Sequence, residues 1–249
     1  MNEYAVIVDP AKKRDFAATM VLKDSPQLVL GQEFLKQPNR IVHFYDIIYL
    51  QQKQRVPYHE IVEDTCQLMK HAALAENADL LVDATGVGEA VIEIMREKGL
   101  RPIPLVTTPG GQVHEVYADV GDVFSGIPSR LKIKVLQEIH VPKADLVAAG
   151  QLLVEQERIR IAAGLRWAEE ARTQFKRFRG KINERTKRKV YEAETEEDHD
   201  DFVICFLMGA WWFVKHRPQE ELKEQAIEKA SLQSRREAET GDWNPYDFW

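Results

Sequence analysis

Tyr4-Ala5-Val6-Ile7-Val8-Asp9-Pro10 decides how this chain folds. An apolar run with no polar alternation, rich in β-branched residues, reads as a strand buried on both faces. Pro10 stops its extension and leaves Asp9 as a carboxylate at the end of a buried element. Such a charge is costly unless something positive meets it. Two more aspartates stand in the same kind of place. Asp83 ends Leu80-Leu81-Val82, and Asp201 closes His199-Asp200-Asp201 and opens the apolar run from Phe202 to Val214. Three carboxylates at element ends, if they converge, make a site for a hard cation, because Mg²⁺ and Mn²⁺ take oxygen ligands. Two such ions roughly 4 Å apart clamp an in-line phosphoryl displacement.

Each acid also has a plainer reading. Asp83 can be a turn residue. Asp200 and Asp201 can cap a helix and favour its dipole. Asp15, across a tight hairpin from Asp9, either faces the same pocket or lies at the surface. His199 reads as a local hydrogen-bond partner, since a hard cation prefers oxygen.

Around these positions, residues 16–22 read as a second strand, paired with the first as a hairpin. Residues 41–50 read as a third strand, and Pro57 opens a helix over 58–75. Strand 79–83, the glycine turn at Gly86 and Gly88, helix 89–98 and strand 101–106 form a β-α-β unit. Such a unit implies a parallel pair with a right-handed crossover. Residues 107–126 are Gly-rich and show no clear period. Helices over 143–156 and 165–176, a short strand over 158–162, a hairpin of 178–182 with 189–193, and a helix over 200–215 follow. The fold class is α/β: a mixed central sheet flanked by helices, with a basic β-hairpin. One domain covers 1–216. Residues 217–249 form a charged helix and a tail carrying Trp243, Tyr246, Phe248 and Trp249, read either as a docking element or as a loose end.

A chain of 249 residues, 44% of them hydrophobic, is long enough for a substantial core. Its net charge of −6 hides an asymmetry. From Arg172 to Lys189 there are nine Lys or Arg and one acid, and from Glu192 to Asp201 there are seven acids. Lys176, Arg177, Arg179, Lys181, Arg185, Lys187, Arg188 and Lys189, interleaved with Phe175 and Phe178, form a candidate track for DNA phosphates. Lys12, Lys13 and Arg14 beside Asp9 extend it. The plainer reading is a solvated hairpin tip.

Several classes are excluded. Asp83-Ala84-Thr85-Gly86-Val87-Gly88 opens a helix after a strand, but Val91 stands where a dinucleotide fingerprint needs its third glycine. No phosphate-binding loop of the Gly-x-x-x-x-Gly-Lys-Ser/Thr type occurs. The longest apolar run is too short to span a bilayer, so no membrane association is expected. Cys66 and Cys205 are the only cysteines and fall in expected helices, which points to a reducing compartment.

Together the motifs resemble the nuclease domain of phage large terminases, an RNase H-like family. Val8-Asp9-Pro10 with Asp15-Phe16-Ala17-Ala18-Thr19 resembles the family's first motif. Val82-Asp83-Ala84-Thr85-Gly86-Val87-Gly88 resembles the second. Val141-Pro142-Lys143-Ala144-Asp145-Leu146, followed by Glu157-Arg158-Ile159-Arg160-Ile161, is similar to a later stretch. His199-Asp200-Asp201-Phe202-Val203, running into Trp211 and Trp212, resembles the third acidic motif. The resemblance spans residues 4–214.

It implies a Mg²⁺- or Mn²⁺-dependent endonuclease that uses two ions to cut double-stranded DNA during genome packaging, leaving a 5′ phosphate and a 3′ hydroxyl. It carries ligand roles to Asp9, Asp83 and Asp201, and accessory roles to Asp15 and Asp200. Its implied partners are a packaging ATPase domain, a small terminase and a portal, in the host cytoplasm. The chain departs from the family in carrying no ATPase motif, and in having Val203-Ile204-Cys205 where a further acid is common. The competing readings are another RNase H-like nuclease, a junction resolvase or integrase-type enzyme, and a non-catalytic component that binds DNA or portal.

Overall fold

The computed structural model describes residues 2–10, 16–30, 40–86, 88–119, 134–182, 189–192 and 199–216. Ten strands and five helices run in the order β1 (Tyr4–Asp9), β2 (Phe16–Val29), β3 (Arg40–Gln54), α1 (Tyr58–Met69), β4 (Ala78–Asp83), α2 (Gly88–Glu97), β5 (Pro102–Thr108), β6 (His114–Asp119), β7 (Lys134–Pro142), α3 (Lys143–Glu155), β8 (Ile159–Ile161), α4 (Ala168–Arg177), β9 (Arg179–Ile182), β10 (Lys189–Glu192) and α5 (Asp201–His216). Eight strands form one mixed sheet in the order β6-β7-β5-β4-β1-β2-β3-β8, and β9 and β10 form a separate hairpin.

The unbroken apolar run of β1 is explained by its place. It lies between β2, antiparallel, and β4, parallel. Ala5 and Ile7 pack on the face covered by α3, α4 and α5. Tyr4, Val6 and Val8 pack on the opposite face, under α1 and α2. Helix α5 is apolar nearly all round because it is buried nearly all round. It rests on the sheet through Gly209, where an added Cβ would stand 2.4 Å from Leu22 Cδ1 and 3.0 Å from Ile7 Cδ1. Against α3 it passes Gly150, where a Cβ would stand 2.3 Å from Leu207 Cδ2.

The β-α-β unit forms as expected: β4 and β5 are parallel neighbours, joined by α2. Four sequence expectations differ from the structure. β2 and β3 run well past their expected ends and pair along their whole length. Asp24-Ser25-Pro26 lies beyond Lys23, where β1 no longer pairs with β2, so Pro26 removes no bond to β1. Helix α1 ends at Met69. The region without a clear period contains the start of a hairpin, β6 against β7, whose outer strand forms the sheet edge.

Candidate active site

The sheet register brings the first two acids together. Val8 pairs with Val82, so Asp9 and Asp83 follow side by side at the ends of adjacent parallel strands. Asp9 also pairs with Ala18, and Ala18 with Gln52. Asp83, Asp9, Ala18 and Gln52 therefore form one row across β4, β1, β2 and β3. Residues of one row project from the same face. Two positions earlier on their strands, Leu81, Ile7 and Leu50 all pack in the core shared with α5. The row thus emerges on the α5 side, where that core ends.

Helix α5 delivers the third acid to this row. The Asp200 carbonyl accepts the amide of Ile204 at 2.8 Å, which makes Asp200 the capping position and Asp201 the first helical residue. The Phe202 amide is capped from α4, by Gln174 Oε1 at 2.9 Å. The Asp201 carboxylate turns to the sheet, where Gln52 Nε2 donates to its Oδ2 at 3.0 Å. Capping does not account for Asp201. His199, exposed, lays its ring edge-on against Phe16 at 4.5 Å between centroids.

Asp83 is set by its turn. Its Oδ1 accepts the Thr85 amide at 2.8 Å, and Thr85 Oγ1 accepts the Thr107 amide at 2.8 Å. Gly86 supplies the left-handed backbone the turn requires, at φ 79°. The turn reading of Asp83 is therefore correct as far as it goes, and it leaves the carboxylate in the row.

Burial drives the Cys205 thiol well above its ordinary range, and Asp9, Asp201 and Asp83 all push it further. One buried thiol thus senses all three acids. It lies over the row, 3.8 Å from the Ala18 carbonyl. Burial also pushes the Asp201 carboxyl from 3.8 up to about 6, with Asp200 adding to the rise and Gln52 and His199 opposing it. Among the described residues, no three His, Cys, Asp or Glu side chains close into a metal-holding cluster. Asp83 accepts from the Thr85 amide, and Asp201 from the Gln52 side chain.

No protein-family model matches this sequence, and no curated protein is significantly similar to it. Solved structures do match. The chain superposes on the large terminase nuclease from thermophilic phage G20c with a TM-score of 0.52 at 15% identity, over 87% of this chain and 83% of that one. The same nuclease with bound cobalt gives 0.51 at 15% identity, over 84% and 80%. This chain has the terminase-nuclease fold. The mixed eight-stranded sheet flanked by five helices is the RNase H-like arrangement expected from the motifs.

Within the terminase-nuclease fold, the basic segment follows directly from α4. Lys176 and Arg177 are exposed in its last turn, where they also suit the helix dipole. Arg179, Lys181 and Lys189 lie in the β9–β10 ladder, in which Arg179 pairs with Glu192. Phe175 and Phe178, which interleave with these cations in the sequence, pack against the core. Phe175 meets Phe206 of α5 edge-on at 5.1 Å. Helix α4, from which the hairpin follows, is thereby tied to the helix that carries Asp201. Asp15, Lys12, Lys13, Arg14, Arg185, Lys187, Arg188 and residues 217–249 lie outside the described residues. Among the described residues, no helix is long and apolar enough to cross a membrane.

Sequence reading missed Gln52 and Gln174. Both are polar residues buried to 6% and 3% exposure. Gln52 sits in Gln51-Gln52-Lys53-Gln54, which reads as a strand fraying into solvent. Only the register reveals it.

Proposed function

We propose that this protein is a metal-dependent endonuclease that cuts double-stranded DNA during viral genome packaging. The observation that supports the reading is the register that sets Asp9 beside Asp83 at the ends of β1 and β4, with Asp201 of α5 joined to the same row through Gln52, in a fold shared with a terminase nuclease. The donors are oxygens, which fits Mg²⁺ or Mn²⁺. Burial raises the affinity of the partly buried Asp201 carboxyl for a proton, and a nearby cation would favour its charged form. The related nuclease has a structure with bound cobalt, so that fold accommodates a divalent ion.

In this reading Asp9, Asp83 and Asp201 would hold the ions, Asp9 as the ligand common to both and Asp83 and Asp201 as the ligands of one each, with Asp15 and Asp200 assisting. The ions would activate water and stabilise the leaving oxygen of the phosphodiester. The protein's own part is to fix the carboxylates on the ends of rigid elements and to shield Asp201 from bulk water. Lys176, Arg177, Arg179, Lys181, Arg185, Lys187, Arg188 and Lys189, with Lys12, Lys13 and Arg14, would contact DNA phosphates. A packaging ATPase domain, a small terminase and a portal would supply motion and timing in the host cytoplasm.

The test is plasmid cleavage in Mg²⁺ or Mn²⁺. Asp9→Ala abolishes it while circular dichroism and melting remain those of a folded protein. Full cleavage by that variant removes the assignment. A strong preference for four-way junctions over linear duplex transfers the reading to a resolvase.

A further inference from the structure

Gln52 closes the row Asp83-Asp9-Ala18-Gln52 with a neutral side chain, 6% exposed, where a buried polar group needs a reason. Its orientation is fixed by chemistry. The Asp201 carboxylate only accepts, so the amide NH₂ must face it, as the 3.0 Å contact from Nε2 to Oδ2 shows. The other half of the amide, Oε1, is left buried, and no hydrogen bond reaches it among the described residues. A packing role explains neither half. An apolar side chain would fill the same space without burying an unmet acceptor.

We propose that Gln52 is a positioning residue of the metal site: Nε2 holds the Asp201 carboxylate in place, and Oε1 accepts a hydrogen bond from water carried by a bound divalent ion. This rests on the nuclease reading above. The Gln52 amide fixes Asp201 without neutralising it, which an arginine or lysine would do. A cation at this position would occupy the charge that the ion requires. Partners of this kind, which orient a ligand without touching the metal, typically change metal affinity by about 10–100-fold.

The experiment compares the full chain with Gln52→Met and Gln52→Asn. Met matches the length and removes both polar groups. Asn keeps an amide in the row but falls one methylene short, so it preserves the polarity of the strand end if Met does not fold. Mn²⁺ binding is measured by calorimetry without DNA, beside melting of the metal-free protein and plasmid cleavage across a Mn²⁺ series. Both variants are expected to weaken Mn²⁺ binding about tenfold or more. The Mn²⁺ dependence of cleavage shifts by the same factor, and the rate at saturating Mn²⁺ stays within a few-fold of wild type. Wild-type Mn²⁺ affinity in folded variants, with only the melting temperature lowered, overturns the proposal and leaves a packing role. A wild-type chain that neither binds Mn²⁺ nor cuts DNA overturns the nuclease reading itself. Binding and cutting by wild type beside unaffected variants removes only the role of Gln52.

Discussion

Asp46 and Asp201 are both acids partly buried against the sheet, and they are treated in opposite ways. Asp46, on β3 towards the end away from the candidate site, meets a matched cation. Arg160 of β8 donates to it from Nε at 2.5 Å and from a terminal nitrogen at 2.9 Å, and Ser25 Oγ adds a bond at 2.6 Å. Arg160 also stacks over Phe44 at 4.5 Å. Asp201 meets a neutral amide and, among the described residues, no salt bridge. The first arrangement closes β8 onto the sheet. The second keeps a carboxylate short of positive charge. The difference is the one that the proposed ligand role of Asp201 requires.

The largest effect should come from erasing the unpaired acid. Asp201→Asn keeps an acceptor for Gln52 and removes the charge. Metal-assisted stabilisation is worth several kcal/mol, so plasmid cleavage should fall by on the order of 10³-fold. The metal-free protein should melt higher at pH 8 than wild type. A variant that cuts normally would make Asp201 no different in kind from Asp46.

Next in size is the pH dependence of stability. The Asp201 carboxyl ionises near 3.8 when unfolded and near 6 when folded. Between these values the native state holds the extra proton, so stability falls as pH rises through that window. The contribution is complete below pH 3.8 and gone above about pH 6. Its upper bound is about 3 kcal/mol. Chemical denaturation of metal-free wild type against Asp201→Asn should show this difference opening with pH. Saturating Mn²⁺ should close it, because binding stabilises the native state. Parallel pH curves for the two proteins would show that burial of Asp201 costs nothing.

The smallest effect belongs to the matched pair. Arg160 is 41% exposed on its side chain and Asp46 18%. Screening limits such a pair to about 1 kcal/mol. Arg160→Leu should lower the unfolding free energy measured in urea by at most that amount and leave cleavage unchanged. A loss of cleavage would mean that β8 and the site are coupled.

The sequence showed the acids better than it showed what holds them. Asp9, Asp83 and Asp201 stand at the ends of apolar runs, and the cost of burying a carboxylate is legible in one dimension. β1, the β-α-β unit and α5 were legible for the same reason: their apolar runs are long and uninterrupted. Gln52 was not, because a glutamine near a strand end looks like solvent until the neighbouring strands are in register. The full length of β2 was not legible, because Asp24-Ser25-Pro26 continues the strand past the point where β1, which begins at Tyr4, pairs with it. The β6–β7 hairpin was hidden because an edge strand such as His114-Glu115-Val116-Tyr117 needs little apolar surface. Gln174 acts across a gap of 28 residues, and no local pattern records that.

The row from Asp83 to Gln52 works as a ruler whose divisions are the strands themselves. Adjacent strands stand about 4.8 Å apart, so the backbone spacing beneath Asp9 and Asp83 is inherited from the hydrogen-bond ladder and not from any side chain. Substitutions elsewhere in the sheet leave those divisions untouched as long as alternation is kept. Only a register slip would spoil them, and it would turn every mark to the wrong face at once. Such a ruler tolerates wide drift of the sequence around it, which is how 15% identity can accompany the same fold.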